Sequence, residues 1–282
     1  MSPLRVAELC VYPVKSATGL SVREWPVDAF GLALDRRFMV VDANGRFVTQ
    51  REEPRMCLVQ AGWGGDGKLT LTAEGRGVLE VDSPEGGHAS HDVTVWNDTV
   101  RAVDCGAAAG EWWSDYLGRP ARLMFIAEPT ARTADPEYAP ARTPVSFADG
   151  FPFLITTTAS LADLNGRLET PLPMRRFRPN IVIEGAEPFE EDTWHRIRIG
   201  DVEFDLVKPC ARCSITTVDP ETAQVGKEPL KTLATFRRTG NKVLFGQNAV
   251  HSGPGRLRVG EGVEVLASGS GGGDPRTGLR PT

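Results

Sequence analysis

The stretch Pro209-Cys210-Ala211-Arg212-Cys213, followed directly by Ser214-Ile215-Thr216-Thr217-Val218-Asp219-Pro220, is the most informative part of this chain. It places two thiols and one guanidinium close together in the sequence. Thiolate sulfur is a soft metal ligand, and a neighbouring cation favours the thiolate form of a cysteine. We therefore expect a tight turn that holds a soft metal or acts as a nucleophile.

The flanking sequence predicts that this turn lies at the end of a strand. Polar and apolar residues alternate in 196–199 and 202–207 around Gly200-Asp201, which indicates a hairpin. Its second strand leads directly into the two cysteines. The turn should therefore be held by a sheet.

The Cys210-x-x-Cys213 spacing alone is also typical of a thioredoxin-like redox pair or of half a zinc site. A redox pair opens a helix, whereas the β-branched run 216–218 favours an extended backbone, which argues against it. Zinc needs two more ligands. His88 and His91 could supply them, but they lie in a Gly- and Ser-rich loop typical of solvated surface, so zinc stays a minor alternative.

Composition excludes some classes of function. The 282 residues are 40% hydrophobic and 24% charged, with a net charge of −5, which argues against nucleic acid as a partner. The sequence has no apolar run long enough to predict a membrane span, and its first residues do not resemble a signal peptide. The odd count of five cysteines does not suggest a disulfide framework. We expect a cytoplasmic protein without a membrane partner.

The secondary structure pattern predicts a β-rich α+β fold. Asn44-Gly45 indicates a type I′ hairpin turn, and helices are expected over 107–117, over 160–168 with Ser160 as the cap, and from Pro229. A long loop is expected over 128–149 and a flexible tail over 268–282. Predicted strands cover 4–11, 37–42, 46–50, 68–72, 78–82, 92–97, 100–104, 122–127, 179–184, 196–199, 202–207, 242–245, 256–259 and 263–266.

Several motifs in order resemble the MOSC domain family, named for the molybdenum cofactor sulfurase C-terminal module. The cysteine stretch, Lys227-Glu-Pro-Leu-Lys-Thr-Leu233 and Phe245-Gly-Gln-Asn248 are similar to a MOSC domain. Further motifs resemble the amidoxime-reducing proteins, in which a β-barrel module precedes MOSC. These motifs are Tyr12-Pro-Val-Lys-Ser16, Asp35-Arg-Arg-Phe38, Thr49-Gln-Arg51, Phe151-Pro-Phe-Leu-Ile155, Ser160-Leu-Ala-Asp-Leu-Asn165 and Phe177-Arg-Pro-Asn180.

The resemblance implies an N-terminal β-barrel-like domain at 1–120, a MOSC β-barrel domain with flanking helices at 121–267, and a cofactor between them. Cys213 would bind the molybdenum of a molybdopterin cofactor, and Cys210 would be a neighbouring thiol that does not bind it. Lys15, Ser16 and Arg37 match positions that hold the cofactor phosphate. Arg178 and Arg212 match other cofactor contacts, and Thr157 and Asn180 could hydrogen-bond the pterin or shape the pocket.

One ambiguity concerns which arginines face the cofactor. Adjacent strand residues point to opposite faces, so Arg36 competes with Arg37, and Arg175 and Arg176 compete with Arg178. The family motif favours Arg37 and Arg178.

The activity that the resemblance implies is the reduction of N-hydroxylated compounds such as amidoximes, hydroxylamines and N-hydroxylated bases. No cysteine follows Cys213 to build an iron-sulfur module, so we expect a separate electron-donor protein of the flavodoxin, ferredoxin or reductase type. The alternatives are a non-redox carrier of the molybdenum cofactor and a sulfur carrier that forms a persulfide on Cys213.

Overall fold

The computed structural model describes residues 3–64, 67–82, 84, 88–127, 132–140 and 142–269. Short strands dominate these residues, which confirms the β-rich α+β class. Most of the expected tail lies outside the described residues. Residues 128–131 and 141 of the loop expected over 128–149 also lie outside them. Within the described part of the chain, no helix has the length and apolar character needed to span a membrane.

The strands up to residue 125 are β1 (Arg5–Val11), β2 (Leu20–Val22), β3 (Glu24–Asp28), β4 (Gly31–Leu32), β5 (Phe38–Asp42), β6 (Gln60–Trp63), β7 (Lys68–Thr72), β8 (Leu79–Asp82), β9 (Ser90–Val95), β10 (Asp98–Asp104) and β11 (Ala121–Phe125). A 3₁₀ helix covers Pro54–Leu58, and helix α1 covers Ala107–Leu117, as predicted. Buried Trp113 anchors α1, and Gly118 ends it in the left-handed conformation, with φ 72°.

The later strands are β12 (Phe153–Thr157), β13 (Ile181–Glu184), β14 (Trp194–Ile199), β15 (Val202–Ala211), β16 (Arg238–Thr239), β17 (Lys242–His251), β18 (Gly255–Arg258) and β19 (Val263–Ser268). The helices of this part are α2 (Thr158–Asn165) and α3 (Leu230–Leu233). Three 3₁₀ helices cover Met174–Arg176, Glu190–Asp192 and Ser214–Thr217.

The largest sheet has the order β19-β14-β15-β17-β12-β13-β1-β2, with β16 attached to β17. Strands β12 and β13 pair in parallel, and α2 lies on the connection that returns the chain between them. A four-stranded sheet has the order β5-β11-β10-β9, and two three-stranded sheets have the orders β18-β3-β4 and β6-β7-β8.

The sheets cross the boundary predicted at residue 120. Strand β1 pairs with β13, and Val6 and Leu9 share a hydrophobic core with Ile181. Strand β3 pairs with β18. Strand β11, which follows residue 120, pairs with β5 and β10, which precede it. The early and late parts of the chain are therefore interleaved.

Several local predictions are corrected. Asn44-Gly45 is not a type I′ turn, because only Gly45 has a positive φ, and the residues after it form isolated bridges rather than a full strand. Helix α2 begins one turn earlier than expected, with Thr157 as its N-cap in place of Ser160. Helix α3 is a single short turn, and β17 is ten residues long because it pairs with β12 and β15 beyond Phe245.

The two cysteines do not share one tight turn. Cys210 belongs to strand β15, which continues to Ala211, and Cys213 precedes the 3₁₀ helix that begins at Ser214. The extended backbone expected over 216–218 is not found, because Thr216 and Thr217 belong to this 3₁₀ helix. The Cys213 carbonyl accepts from both the backbone N–H and the hydroxyl of Thr216, at 3.1 and 3.0 Å.

Candidate functional site

A cavity of about 110 Å³ lies where several strands begin or end, and most of the predicted site residues line it. Lys15 and Ser16 follow β1, Arg178 and Asn180 precede β13, and Cys213 follows β15. Loops at strand ends hold side chains on a rigid scaffold. The full lining is Lys15, Ser16, Arg36, Ala148, Asp149, Gly150, Phe151, Phe153, Leu154, Phe177, Arg178, Asn180, Cys210, Arg212, Cys213, Ile215 and Asn248.

Lys15 is a buried cation in this lining, with only 5% of its surface exposed. Its ammonium donates to the Phe147 carbonyl at 2.8 Å and to the Asp149 carboxylate at 2.5 Å. Burial lowers the pKa of Lys15, and Asp149 opposes only part of that effect. Burial acts to raise the pKa of Asp149, but Lys15 and Arg51 together lower it more. Asp149 is therefore held as a carboxylate beside Lys15.

Two arginines bracket the next part of the lining. The guanidinium groups of Arg36 and Arg178 lie over the Tyr12 ring, at 4.5 and 4.2 Å from its centroid. Arg36 also donates to the Asn180 side-chain oxygen at 3.1 Å. Burial, followed by the charge of Arg36, lowers the pKa of Arg178 to about 10, so Arg178 is still a cation at neutral pH. Asp35 already pairs with Arg36 at 2.5 Å, so the charge that can attract a further anion is mainly that of Arg178.

The two thiols have different partners. The Arg212 guanidinium donates to the Cys210 sulfur at 2.9 Å, and it also donates to the Phe177 carbonyl at 2.6 Å. The Cys213 sulfur instead accepts from the Arg51 guanidinium at 3.0 Å. Both cysteines are free. The Cys210 sulfur is therefore hydrogen-bonded by an arginine two residues away, whereas the Cys213 sulfur is hydrogen-bonded by an arginine from the N-terminal part of the chain.

Three residues of the cavity have an unusual backbone conformation. Eight described residues other than glycine have a positive φ, and Ser16, Arg36 and Arg178 are three of them, at 72°, 51° and 56°. Such conformations are uncommon for side-chain-bearing residues, and they persist where the surroundings hold them in place, often at binding sites. All three side chains line the cavity.

The donors in this cavity fit an anionic, phosphate-bearing group. Arg178 Nη2 and Arg212 Nε are buried without a hydrogen-bond partner among the described residues. An unsatisfied buried donor is costly, and a bound oxyanion would remove that cost. Cys213 adds a soft sulfur ligand at the same cavity. The residues therefore suit a cofactor that carries both a phosphate and a sulfur-bound metal.

Two predicted site residues lie outside the cavity lining. Arg37 points away from it: the guanidinium donates to the Ile126 carbonyl at 2.9 Å and lies 4.3 Å from the centre of the Phe30 ring. Its neighbour Arg36 lines the cavity instead, and a contact of Arg37 with the cofactor stays a prediction. Thr157 caps helix α2 and donates to Glu191, and it does not line the cavity either.

The remaining predicted residues come together. Lys15, Ser16, Arg178, Asn180, Arg212 and Cys213 all line the cavity. Asn180 is 1% exposed, and its side chain accepts from the Leu154 N–H and donates to the Cys10 carbonyl, so it also ties strand ends together.

Sequence reasoning gave no role to Asp149 and Arg51. Asp149 lies in a loop without periodicity. Arg51 belongs to the matched Thr49-Gln-Arg51 motif, and this match was the available signal.

The zinc alternative finds no cluster to support it. Among the described residues, no group of three or more His, Cys, Asp or Glu side chains could hold a metal ion. His91 lies on strand β9 near Asp104, in the four-stranded sheet, whereas Cys213 lies at the cavity.

Comparisons with known proteins agree with this arrangement. Residues 3–120 match the MOSC N-terminal beta barrel domain, and residues 142–264 match the MOSC domain. The chain is 39% identical to mitochondrial amidoxime-reducing component 1 of Homo sapiens and 36% identical to that of Mus musculus, covering 93% of this chain and 82% of each relative. It is 38% identical to mitochondrial amidoxime reducing component 2 of Bos taurus, covering 82% of this chain and 72% of the relative. The chain therefore belongs to the MOSC family that includes the mitochondrial amidoxime-reducing components.

Proposed function

We propose that this protein is a molybdenum-dependent oxidoreductase that reduces N-hydroxylated compounds, such as amidoximes, hydroxylamines and N-hydroxylated bases. The reaction consumes two electrons and two protons: the N–O bond breaks, an N–H bond forms, and the oxygen leaves as water. The observation that carries the proposal is the Cys213 sulfur on a cavity where two buried arginine N–H groups, Arg178 Nη2 and Arg212 Nε, have no hydrogen-bond partner among the described residues.

The cavity residues divide the work of binding. A molybdopterin cofactor held through the Cys213 sulfur supplies the two-electron chemistry that the N–O bond requires. Arg178 and Arg212 offer buried N–H donors to its phosphate and other polar groups, and Lys15 adds a buried positive charge. Cys210 stays bonded to Arg212 and takes no part as a ligand.

The electrons come from a separate donor protein of the flavodoxin, ferredoxin or reductase type. The names of the relatives support this class of reaction, since they describe amidoxime reduction. We further propose that the protein works in the cytoplasm.

The test uses protein purified from a molybdenum-replete host. Bound molybdenum is measured by elemental analysis, and reduction of benzamidoxime and of hydroxylaminopurine is followed with dithionite-reduced viologen as the electron source. We expect close to one molybdenum per chain and turnover of both substrates. Molybdenum without turnover would favour the carrier functions and reject the reductase.

The two cysteines provide a matched pair of variants. Cys213→Ser should lose the molybdenum and all activity, because a hydroxyl is a poor ligand for a soft metal. Cys210→Ser should keep most of the molybdenum, since this thiol already has Arg212 as its partner. Equal loss of metal in both variants would show that the sulfurs share the ligand role.

A further inference from the structure

Arg51 makes a contact that none of the functions above explains. Its guanidinium lies 3.0 Å from the Cys213 sulfur, although the two residues are 162 positions apart in the sequence. It also lies 4.0 Å from the Asp149 carboxylate, which lines the same cavity. Arg51 is therefore the point where the N-terminal part of the chain touches the proposed ligand sulfur.

Trp96 holds the Arg51 guanidinium in this position. The guanidinium carbon lies 4.6 Å from the centre of the indole. The indole also contacts the Phe47 ring, at 5.0 Å between ring centres, and its centre lies 5.8 Å from the Lys15 ammonium. Arginine stacked on tryptophan is one of the stronger cation–π pairs. The side chain of Arg51 is only 26% exposed, so it is fixed rather than freely solvated.

The backbone of Trp96 shows that this arrangement is specific. Trp96 is in the two-residue turn between β9 and β10, with φ 56°. Glycine or asparagine is favoured at such a position, and a bulky aromatic residue there is strained. The indole is also 39% exposed, which is unusual for a large aromatic side chain. The chain keeps a strained, partly exposed tryptophan where it meets Arg51.

Arg55 provides an internal comparison. It lies four residues further along the chain, in the 3₁₀ helix Pro54–Leu58, and also has an aromatic partner, Tyr116, at 5.6 Å from the ring centre. Its guanidinium donates to the Leu117 carbonyl and, among the described residues, hydrogen-bonds no sulfur. Stacking an arginine on a ring is therefore a separate feature from reaching the Cys213 thiol.

We propose that Arg51, held by Trp96, is a positioning residue for the Cys213 sulfur. Arg51 donates an N–H to this sulfur. When the sulfur binds metal, the same hydrogen bond withdraws electron density from it. Hydrogen bonds to ligating sulfur fix the orientation of the ligand and raise the reduction potential of the metal. The redox part of this inference rests on the proposed function. The contact itself does not.

The contact is tested first on cofactor-free protein, by NMR of ¹⁵N-labelled arginine side chains. Cys213→Ala should shift the Arg51 guanidinium signals and leave those of Arg212 in place. Cys210→Ala should do the reverse, because Arg212 is the partner of that thiol. If the Arg51 signals do not shift in Cys213→Ala, the proposal is overturned, whatever the protein catalyses.

The effect on the metal is tested with Arg51→Met, Arg51→Lys and the control Arg55→Met, each purified with its cofactor. Arg51→Met should release molybdenum roughly tenfold faster on dilution, as is usual when the partner of a metal ligand is removed, and its molybdenum midpoint potential should fall. Arg51→Lys should recover part of both, because an ammonium still donates to sulfur. Arg55→Met should resemble the unaltered protein.

Further outcomes separate the two proposals. If the unaltered protein binds molybdenum but reduces no N-hydroxylated substrate, the proposed function fails. The rate of molybdenum release and the molybdenum midpoint potential still test the role of Arg51 in that case. If Arg51→Met does not fold, Trp96→Leu takes its place, since it keeps the guanidinium but removes the ring that holds it, and it should give a smaller loss in the same direction. Release and potential unchanged in the folded variant would reject the role of Arg51.

Discussion

At the scale of single residues, two adjacent arginines show that a sequence motif alone does not determine which side chain lines the cavity. Arg36 and Arg37 stand side by side between Asp35 and Phe38, and the family motif favours Arg37. In the structure Arg36 has a positive φ of 51° and lines the cavity, whereas Arg37 donates to the Ile126 carbonyl. Strand alternation could not reveal this, since residue 36 lies before β5 begins.

Glu191 is a buried carboxyl group outside the cavity. It is fully buried and accepts from the hydroxyls of Thr157 and Ser160 at 3.1 and 2.8 Å, while its other oxygen has no partner among the described residues. Burial raises its pKa to about 7 from the ordinary 4.5, even though the Ser160 hydrogen bond opposes the shift. The folded state therefore favours the neutral acid.

The pKa of Glu191 predicts a pH-dependent stability. Because the folded-state pKa is raised, the stabilisation is complete below about pH 4.5 and is lost as pH rises through about 7. Glu191→Gln stays neutral, so it should be more stable than the unaltered protein at pH 8, by about 2 to 3 kcal/mol, and similar to it at pH 4.5.

Urea unfolding at pH 4.5, 6 and 8 measures this difference. Glu190→Gln, on the same 3₁₀ helix, controls for the loss of one carboxylate. A difference between Glu191→Gln and the unaltered protein that stays constant with pH would contradict the argument.

At the scale of secondary structure elements, local signals predicted those elements whose ends are set by local chemistry. Helix α1 has the predicted bounds because its buried positions follow helical spacing and a glycine in the left-handed conformation ends it. Helix α2 was misplaced because two hydroxyls, on Thr157 and Ser160, could each serve as the cap. Strand β17 was too short in the prediction because its extension depends on pairing with β12 and β15, which no local window contains.

The cap of α2 gives a prediction at this scale. Thr157 accepts from the Ser160 N–H at 3.1 Å and donates to Glu191, so it fixes the start of α2 against the 3₁₀ helix Glu190–Asp192. Thr157→Ala should lower the free energy of unfolding by about 1 to 2 kcal/mol. It should leave the molybdenum content unchanged, because Thr157 does not line the cavity.

Thermal unfolding and elemental analysis test the two parts separately. Thr157→Ser keeps the hydroxyl and should restore the stability. Loss of molybdenum from a folded Thr157→Ala variant would instead support the original prediction that Thr157 contacts the cofactor.

At the scale of the whole molecule, the motifs predicted the family and six of the residues that line the cavity, but they did not predict how the sheets interleave. Linear order suggests one domain after another. In the structure, β1 lies between β13 and β2, and β18 pairs with β3. These pairings depend on contacts across most of the chain. They also bring Lys15 and Cys213 to one cavity, since Lys15 follows the strand that is inserted in the large sheet.

The interleaving predicts that residues 142–269 do not fold alone. Without β1, strand β13 loses a hydrogen-bonded neighbour, and Val6, Leu9 and Val11 are absent from the core. Burying each such side chain contributes about 1.5 to 3 kcal/mol, so their joint loss is comparable to the total stability of an ordinary domain, about 5 to 15 kcal/mol. Circular dichroism of this fragment should show no cooperative thermal transition.

A second fragment sharpens the test of interleaving. Joining residues 3–28, which contain β1, β2 and β3, to 142–269 through a flexible linker restores the strands that pair with β13 and β18. This fragment should regain at least part of a cooperative transition. In the intact chain, circular dichroism and tryptophan fluorescence should report one coincident unfolding transition, because the sheets that contain early and late strands support each other. Cooperative unfolding of residues 142–269 by themselves would show that the MOSC domain folds independently and that it does not need β1 to fold.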